Sequence, residues 1–492
     1  MALGMMRGMR MMGSVVGSGR QQPSSLMCRF ASSDIVVDNP YSGETVCSLP
    51  SVDQAAAEKV LERVSAAQKE WKQTDLSTRL NACQEFLDCF SNNRDKIAEE
   101  ISGMMGKPVK YAHGEINGMF ERAEAMMKMA PKVLADEVVE SSNGALKKIT
   151  KEPVGTVLVL APWNYPLLTS VNAVVPAFLA GNGVAIKHSN RTPLCADHFS
   201  DAFAATSAPN GLVQSIHTDH DVVHKLIKNP LVSFVSFTGS VEGGHAVYST
   251  VGNSRFIDAT LELGGKDGAY VAEDCDPSMA AEGLVDGAMF NAGQSCCGIE
   301  RVYVHESNYE KFLEKAAEII SGYKLGDPNC PETSMGPMAQ PSSPGFLEDQ
   351  VKEAVSKGAR LICGGAPTTD TAGKGRFFQP TLIADCTHDM NVMTEESFGP
   401  ILAVAPVKND EEAVQKINDC KYGLTAAVFT TSQDRAQKLA PQLEAGTIFM
   451  NRCDYLDPYL PWTGVKDTGK GVSLSHYGFN GVTKLKGYNF KL

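Results

Sequence analysis

From Val52 to Met129 apolar residues recur at spacings of three and four, which predicts helices with one buried face behind a turn-rich arm at Asp38–Glu44. Lys147–Thr150 begins an extended stretch that Glu152-Pro153 interrupts. Beyond it, short β-branched runs alternate with helical stretches, and strands are predicted at Val154–Leu160, Gly183–Lys187, Val213–His217 and Val232–Phe237. A second alternation runs from Leu261 to about Phe449, with strands predicted at Ala269–Val271, Arg301–Val304, Ile401–Val407, Ala426–Phe429 and Thr447–Met450. This rhythm is that of βαβ units on parallel sheets, so the fold class is α/β with two such domains. The tail, Val482–Leu492, reads as a strand that can join Lys147–Lys151 in a protruding sheet. Exposed sheet edges of that kind usually need a partner.

Composition narrows the class further. The chain has 492 residues, 43% hydrophobic and 21% charged, which suits two or three folded domains and excludes disordered, collagen-like and coiled-coil chains. Its net charge is −12, yet residues 1–33 hold four arginines and no acid, so the body is more acidic still and unsuited to nucleic acid. That N-terminal stretch, rich in Met, Arg, Ser and Gly, reads as a mitochondrial presequence cut near Arg29, Phe30 and Ala31. A disordered N-terminus and a plastid transit peptide are the alternatives, and a cytoplasmic site follows if it is no leader. Thirteen scattered cysteines without a C-x-x-C pair point to thiols in a reducing compartment. The most apolar region, Val157–Ile186, is broken by Pro162, Asn164, Pro166, Asn172 and Pro176, so no membrane span is expected.

Five segments carry candidate chemistry. Phe290–Gly298 sets Cys296 after a glycine-containing turn, where a thiolate can attack a carbonyl and backbone amides can hold the resulting oxyanion. Leu261–Lys266 places Glu262 between leucines, 34 residues upstream, in surroundings that favour a general base near neutrality. Ala161–Pro166 holds Asn164 between prolines as a second oxyanion donor. Phe234–Gly244 runs a strand into Gly239-Ser240 and a helix start, the geometry that receives a pyrophosphate. Thr394–Pro400 offers Glu396 and Phe398 to a ribose and a nicotinamide. Each segment alone has a plainer reading: a buried thiol, a strand-end acid, a polar loop.

Together and in this order, the five segments resemble the aldehyde dehydrogenase superfamily from about Asp34 to the C-terminus. The resemblance implies a five-stranded Rossmann-like cofactor domain (34–136 and 153–261), an α/β catalytic domain (262–470) and a small oligomerisation sheet (137–152 and 471–492). It makes Cys296 the nucleophile, Glu262 the base for the deacylating water and Asn164 the oxyanion donor. Trp163, Lys187, Asn190, Gly239, Ser240, Gly264, Glu396 and Phe398 become contacts to NAD or NADP. The implied reaction turns a small-molecule aldehyde into a carboxylic acid in a homodimer or homotetramer, without metal, nucleic acid or membrane. A coenzyme A-acylating enzyme and a non-catalytic homologue are the competing readings; Glu262 argues against the first and the intact trio against the second.

Two departures from the family pattern bear on specificity. NAD-preferring members carry a glutamate three residues after the lysine that matches Lys187, whereas this chain has Asn190 followed by Arg191. Removing that charge, with Lys187 and Arg191 near, predicts appreciable use of NADP. The substrate mouth is expected from Thr169, Asn172, Ser295, Cys297, Tyr455, Leu456 and Trp462. Asn172 in place of a tryptophan disfavours a quaternary-ammonium aldehyde. The absence of an arginine directly before Asn291 disfavours succinate semialdehyde, with Arg452 either a substitute or a structural loop residue. His217, His220 and His224 have metal-like spacing but read as a polar turn, and Cys297 beside Cys296 reads as a regulatory disulfide only in a minority interpretation.

Overall fold

The computed structural model describes residues 34–140, 145–453 and 455–491; the expected presequence lies outside them. A hairpin, Ile35–Asp38 with Thr45–Leu49, leads into four helices: Gln54–Trp71, Leu76–Asn92, Arg94–Met105 and Val109–Val133. Local capping explains where the first two begin, since Asp53 accepts from Ala56 N at 2.9 Å and Asp75 from Thr78 N at 2.8 Å. The first of them packs on a sheet of five parallel strands, ordered Asp258–Glu262, Val232–Thr238, Thr156–Ala161, Gly183–His188 and Val213–Ser215, and the other three pack mainly on neighbouring helices. Every residue of the two strands Thr156–Ala161 and Gly183–His188 is buried, the mark of strands covered by helices on both faces. Trp71 locks the helical layer down by donating its indole N–H to Phe178 O at 2.9 Å.

A second sheet has seven strands, ordered Arg360–Cys363, Thr381–Ala384, Ile401–Val407, Ile299–His305, Asp267–Val271, Thr425–Phe429 and Thr447–Met450. All neighbours in it are parallel except Arg360–Cys363, which runs antiparallel at the edge. Gly469–Lys470 pairs with Glu262 and Leu261, so the chain returns from the second domain to cover the first sheet's edge. The third sheet joins Thr483–Phe490, Leu146–Pro153 and Glu137–Val139, all antiparallel, and its outer strands expose Val138, Leu485 and Phe490. No helix among the described residues is long and apolar enough to cross a membrane.

The β-branched runs expected from the sequence all form strands, with no end displaced by more than two residues. Among the strands that were not expected are Asp258–Glu262, Arg360–Cys363 and Thr381–Ala384. Asp258–Glu262 begins and ends with a carboxylate, so its five residues look like loop until strand Val232–Thr238 supplies the ladder.

Candidate active site

Both large cavities lie at the C-terminal ends of the first sheet, and Cys296 lines each of them. The turn that presents it is bent by three successive left-handed residues, Asn291 (φ 53°), Ala292 (φ 56°) and Gly293 (φ 67°). Such backbone persists only where the surroundings over-determine it. Gln294 does so here, donating its side-chain amide to Asn291 O at 3.0 Å and accepting from Ala339 N at 2.9 Å. The Gly-Gly after Leu263 has a steric cause, because a Cβ on Gly265 would stand 2.3 Å from Cys296 O. The strand end that carries Glu262 therefore reaches the Cys296 turn only through glycine.

Asn164, 5% exposed, follows strand Thr156–Ala161 and precedes helix Pro166–Leu179. Its Nδ2 donates to Gln294 O at 3.2 Å, which fixes the amide beside the Cys296 turn with a second N–H to offer. Its own carbonyl accepts from Lys107 Nζ at 2.9 Å and from Asn291 Nδ2 at 3.2 Å. Lys107 forms a buried ion pair with Glu115, whose other oxygen accepts from Leu167 N at 2.8 Å at the start of the same helix. Glu262 accepts from Ser473 Oγ and, at 3.5 Å, from Thr238 Oγ1. Burial raises its pKa against the opposing pull of those hydroxyls and of Arg122.

The first cavity, about 480 Å³, has the form of a dinucleotide groove. Trp163, Lys187, Gly239, Ser240, Gly264, Glu396 and Phe398 all line it. Ser240 caps helix Val241–Gly252, accepting from Gly243 N at 3.1 Å, so free N–H groups and the helix dipole face an incoming phosphate. Lys187 Nζ donates to Asn190 Oδ1 at 3.0 Å, and burial depresses its pKa to about 8. Phe398 meets Trp163 edge to face at 5.5 Å. Its left-handed backbone (φ 51°) is pinned by Glu300, which accepts from Ser397 N at 2.8 Å and Phe398 N at 2.9 Å while paired with buried Lys266. Glu396 accepts from Gly265 N at 2.9 Å; burial and the neighbouring Glu300 charge lift its pKa to about 8. The second cavity, about 410 Å³, is lined by Thr169, Asn172, Glu262, Ser295, Cys297, Tyr455, Leu456 and Trp462.

A family model for the aldehyde dehydrogenase family matches residues 29–487. The chain belongs to the aldehyde dehydrogenase family. The succinate semialdehyde dehydrogenase (NAD(P)+) Sad of Escherichia coli strain K12 is 32% identical over 444 residues, which are 90% of this chain and 95% of that protein. Human retinaldehyde dehydrogenase 3 is 30% identical, covering 92% of this chain and 89% of its own length. Among solved structures, succinic semialdehyde dehydrogenase from Streptococcus pyogenes in complex with NADP+ superposes with a TM-score of 0.88 at 30% identity. It covers 93% of this chain and all of its own, 100%.

For this aldehyde dehydrogenase two expectations need correction. Arg191 is not free to meet a 2′-phosphate: its guanidinium donates to the Asp38 carboxylate and to Asp38 O, and Arg376 pairs with the same carboxylate. The two cations hold the Asp38 carboxyl down at about 2, against the burial that opposes them. Asn190 is exposed and off the cavity lining, so the structure brings it to the groove only through its bond to Lys187. Arg452 stacks on the Tyr455 ring at 3.7 Å, as a structural loop residue does. The three histidines part company: His217 bonds Asp197 at 2.8 Å, while His220 and His224 line the groove. No metal-binding group of three or more acids, histidines or cysteines occurs among the described residues.

Sequence reasoning missed the buried charges Lys107, Glu115, Arg122, Lys266 and Glu300, which are 1–8% exposed. A signal for two of them exists. On helix Val109–Val133 the buried face runs Ala112, Glu115, Ile116, Met119, Arg122, Ala123, Met126, so two charges stand where the helical period calls for apolar residues.

Proposed function

We propose that this chain oxidises a small-molecule aldehyde to the carboxylic acid, with NAD or NADP as hydride acceptor. The observation that carries the reading is the position of Cys296 on the wall between the two cavities. The groove's own chemistry suits a dinucleotide: a capped helix N-terminus for the pyrophosphate, a lysine at one end, and a carboxylate with two aromatic rings at the other. When bound, the cofactor supplies the hydride acceptor.

The protein's residues do the rest. Cys296 Sγ, as a thiolate, adds to the aldehyde carbon, and the carbonyl π electrons move to oxygen, where Asn164 Nδ2 and the Cys296 backbone N–H hold the charge. Departure of hydride from that thiohemiacetal restores the carbonyl as a thioester on Cys296. Glu262 then takes a proton from water as the water oxygen adds to the thioester carbon, and collapse expels the thiolate with the acid as product. A hydrolytic base in place favours water over coenzyme A as the acceptor.

NADP use is supported by neutral Asn190, by Lys187 on the groove and by the NADP+ complex of the Streptococcus pyogenes relative. The exposed apolar residues on the outer strands of the third sheet favour a homodimer or homotetramer built on those edges. The acid-free, arginine-bearing N-terminus favours delivery to the mitochondrial matrix, which fractionation of cells expressing the tagged chain tests.

The test of the reaction is cofactor reduction by the purified full chain with NAD and NADP separately, over short, aromatic and semialdehyde substrates. Turnover that disappears in Cys296→Ala is expected. Turnover that survives in the variant, or no turnover with any aldehyde, refutes the reading, and a KM lower for NAD by several orders of magnitude refutes the NADP assignment.

A further inference from the structure

The Cys296 cavity carries a cation that the oxidation chemistry does not use. Arg122, 8% exposed, lines it from helix Val109–Val133. Its Nη1 donates to Leu168 O at 2.9 Å and to Asn172 Oδ1 at 3.3 Å, two neutral acceptors, and it forms no ion pair among the described residues. A guanidinium cannot shed its proton, and leaving one buried without a counter-charge is costly. The charges near enough to act on it belong to Glu262, Cys297, Glu115 and Cys296. Glu115 is already matched by Lys107. Glu262 is held toward its neutral form by burial. The inner part of the cavity therefore has a surplus positive charge, fixed in orientation by Leu168 and Asn172, in the same chamber as the reacting sulfur. Glu121 and Asp286 also line this cavity, but both are exposed residues and neither is paired with Arg122.

We infer that Arg122 binds a carboxylate at the far end of the substrate, so that the preferred substrate is a short aldehyde bearing an acid group. The inference rests on the dehydrogenase reading above and deepens it. The fork of a guanidinium matches the two oxygens of a carboxylate, and a lysine at the same place offers only a point charge. Asn172, expected from sequence to line the substrate mouth, here orients the fork.

The experiment compares the full chain with Arg122→Met and Arg122→Lys. The first readout is the ratio of kcat/KM for succinate semialdehyde to that for butanal, an uncharged aldehyde of equal carbon number. The second is calorimetric binding of succinate against butyrate, which requires no turnover. In Arg122→Met the ratio falls by about 50-fold or more, since a charged hydrogen-bonded contact is lost, and succinate binding weakens in parallel. Arg122→Lys recovers part of both. A ratio within about threefold of the parent protein overturns the proposal, whichever way the two rates move together, because that is how a residue that only positions Glu262 or the helix behaves. A preference for 4-aminobutanal over both probes also overturns it and shifts the recognition to Glu121 and Asp286. If no aldehyde is oxidised but succinate binding still depends on Arg122, the dehydrogenase reading fails and the anion site stands. If butanal is oxidised and succinate does not bind, the reverse holds.

Discussion

Replacing Glu300 by glutamine separates the charge of the buried pair from its shape. In the native protein one Glu300 carboxylate accepts from three donors: Lys266 Nζ, Ser397 N and Phe398 N. Lys266 is 1% exposed, with Ser397 Oγ at 3.1 Å as its other partner. Glutamine keeps one acceptor oxygen and turns an N–H group toward a donor, so Lys266 keeps its charge without a counter-ion. Removing one member of a buried pair costs about 3–5 kcal/mol. At a urea slope of about 3 kcal/mol/M the unfolding midpoint falls by roughly 1–1.7 M. A second consequence follows from electrostatics. Burial is the larger cause of the raised Glu396 pKa of about 8 and the Glu300 charge the second, so removing that charge lowers the value. The cofactor KM, which should fall as Glu396 ionises near pH 8 in the parent protein, then levels off at lower pH. Urea denaturation and cofactor KM from pH 6 to 9 measure both effects. A midpoint within 0.3 M of the parent, about 1 kcal/mol at that slope, together with an unshifted profile, refutes the role assigned to the pair.

Glu262→Gln should leave the first hydride transfer and remove the base for water, giving a burst of about one reduced cofactor per site and then turnover slowed about 10²–10⁴-fold, seen by stopped flow. In the parent protein the raised Glu262 pKa makes steady-state turnover climb with pH as that carboxyl ionises, and loss of this limb in the glutamine variant checks the sign. Because Lys187 is protonated below about pH 8 and neutral above it, the ratio of the NADP KM to the NAD KM should rise toward pH 9, by about 10-fold for one charged hydrogen bond lost. Lys187→Met should show the high ratio at every pH. Gly265→Ala drives a Cβ to 2.3 Å from Cys296 O and should cost about 1–3 kcal/mol of stability, with a displaced nucleophile turn reported by slower alkylation of Cys296.

What the sequence discloses here follows from how each feature is encoded. The strands Thr156–Ala161 and Gly183–His188 are runs of apolar and β-branched residues because helices cover both their faces, so composition alone reveals them. The strand Asp258–Glu262 hides because its burial is partial and both its end residues are carboxylates. Cys296, Glu262 and Asn164 are legible through their neighbours: the glycines that let backbones approach and the prolines that hold a turn leave a pattern in the chain. Arg191 misled for the converse reason. Its place one residue beyond Asn190 suggests the groove, but the arm at Asp38, more than 150 residues away in sequence, takes the guanidinium for itself.

The buried pairs show the same limit from inside the site. Lys107 and Glu115 hold the Asn164 loop, and Lys266 and Glu300 hold the Phe398 turn; each pair joins segments whose separation in sequence exceeds any local pattern. A charge on a helix ordinarily reads as a solvent-facing residue, and only its phase against the apolar face says otherwise. By that criterion Glu115 and Arg122, seven residues apart on one buried face, are equivalent, yet the structure gives them opposite fates. Glu115 is neutralised by Lys107 and anchors the helix start at Leu167. Arg122 is hydrogen-bonded by neutral groups alone and lines the same cavity as Cys296. A protein that needed only a staple between two helices would meet the same carbonyls with a neutral side chain at lower desolvation cost, so keeping a permanent cation there makes sense if an anion arrives to meet it.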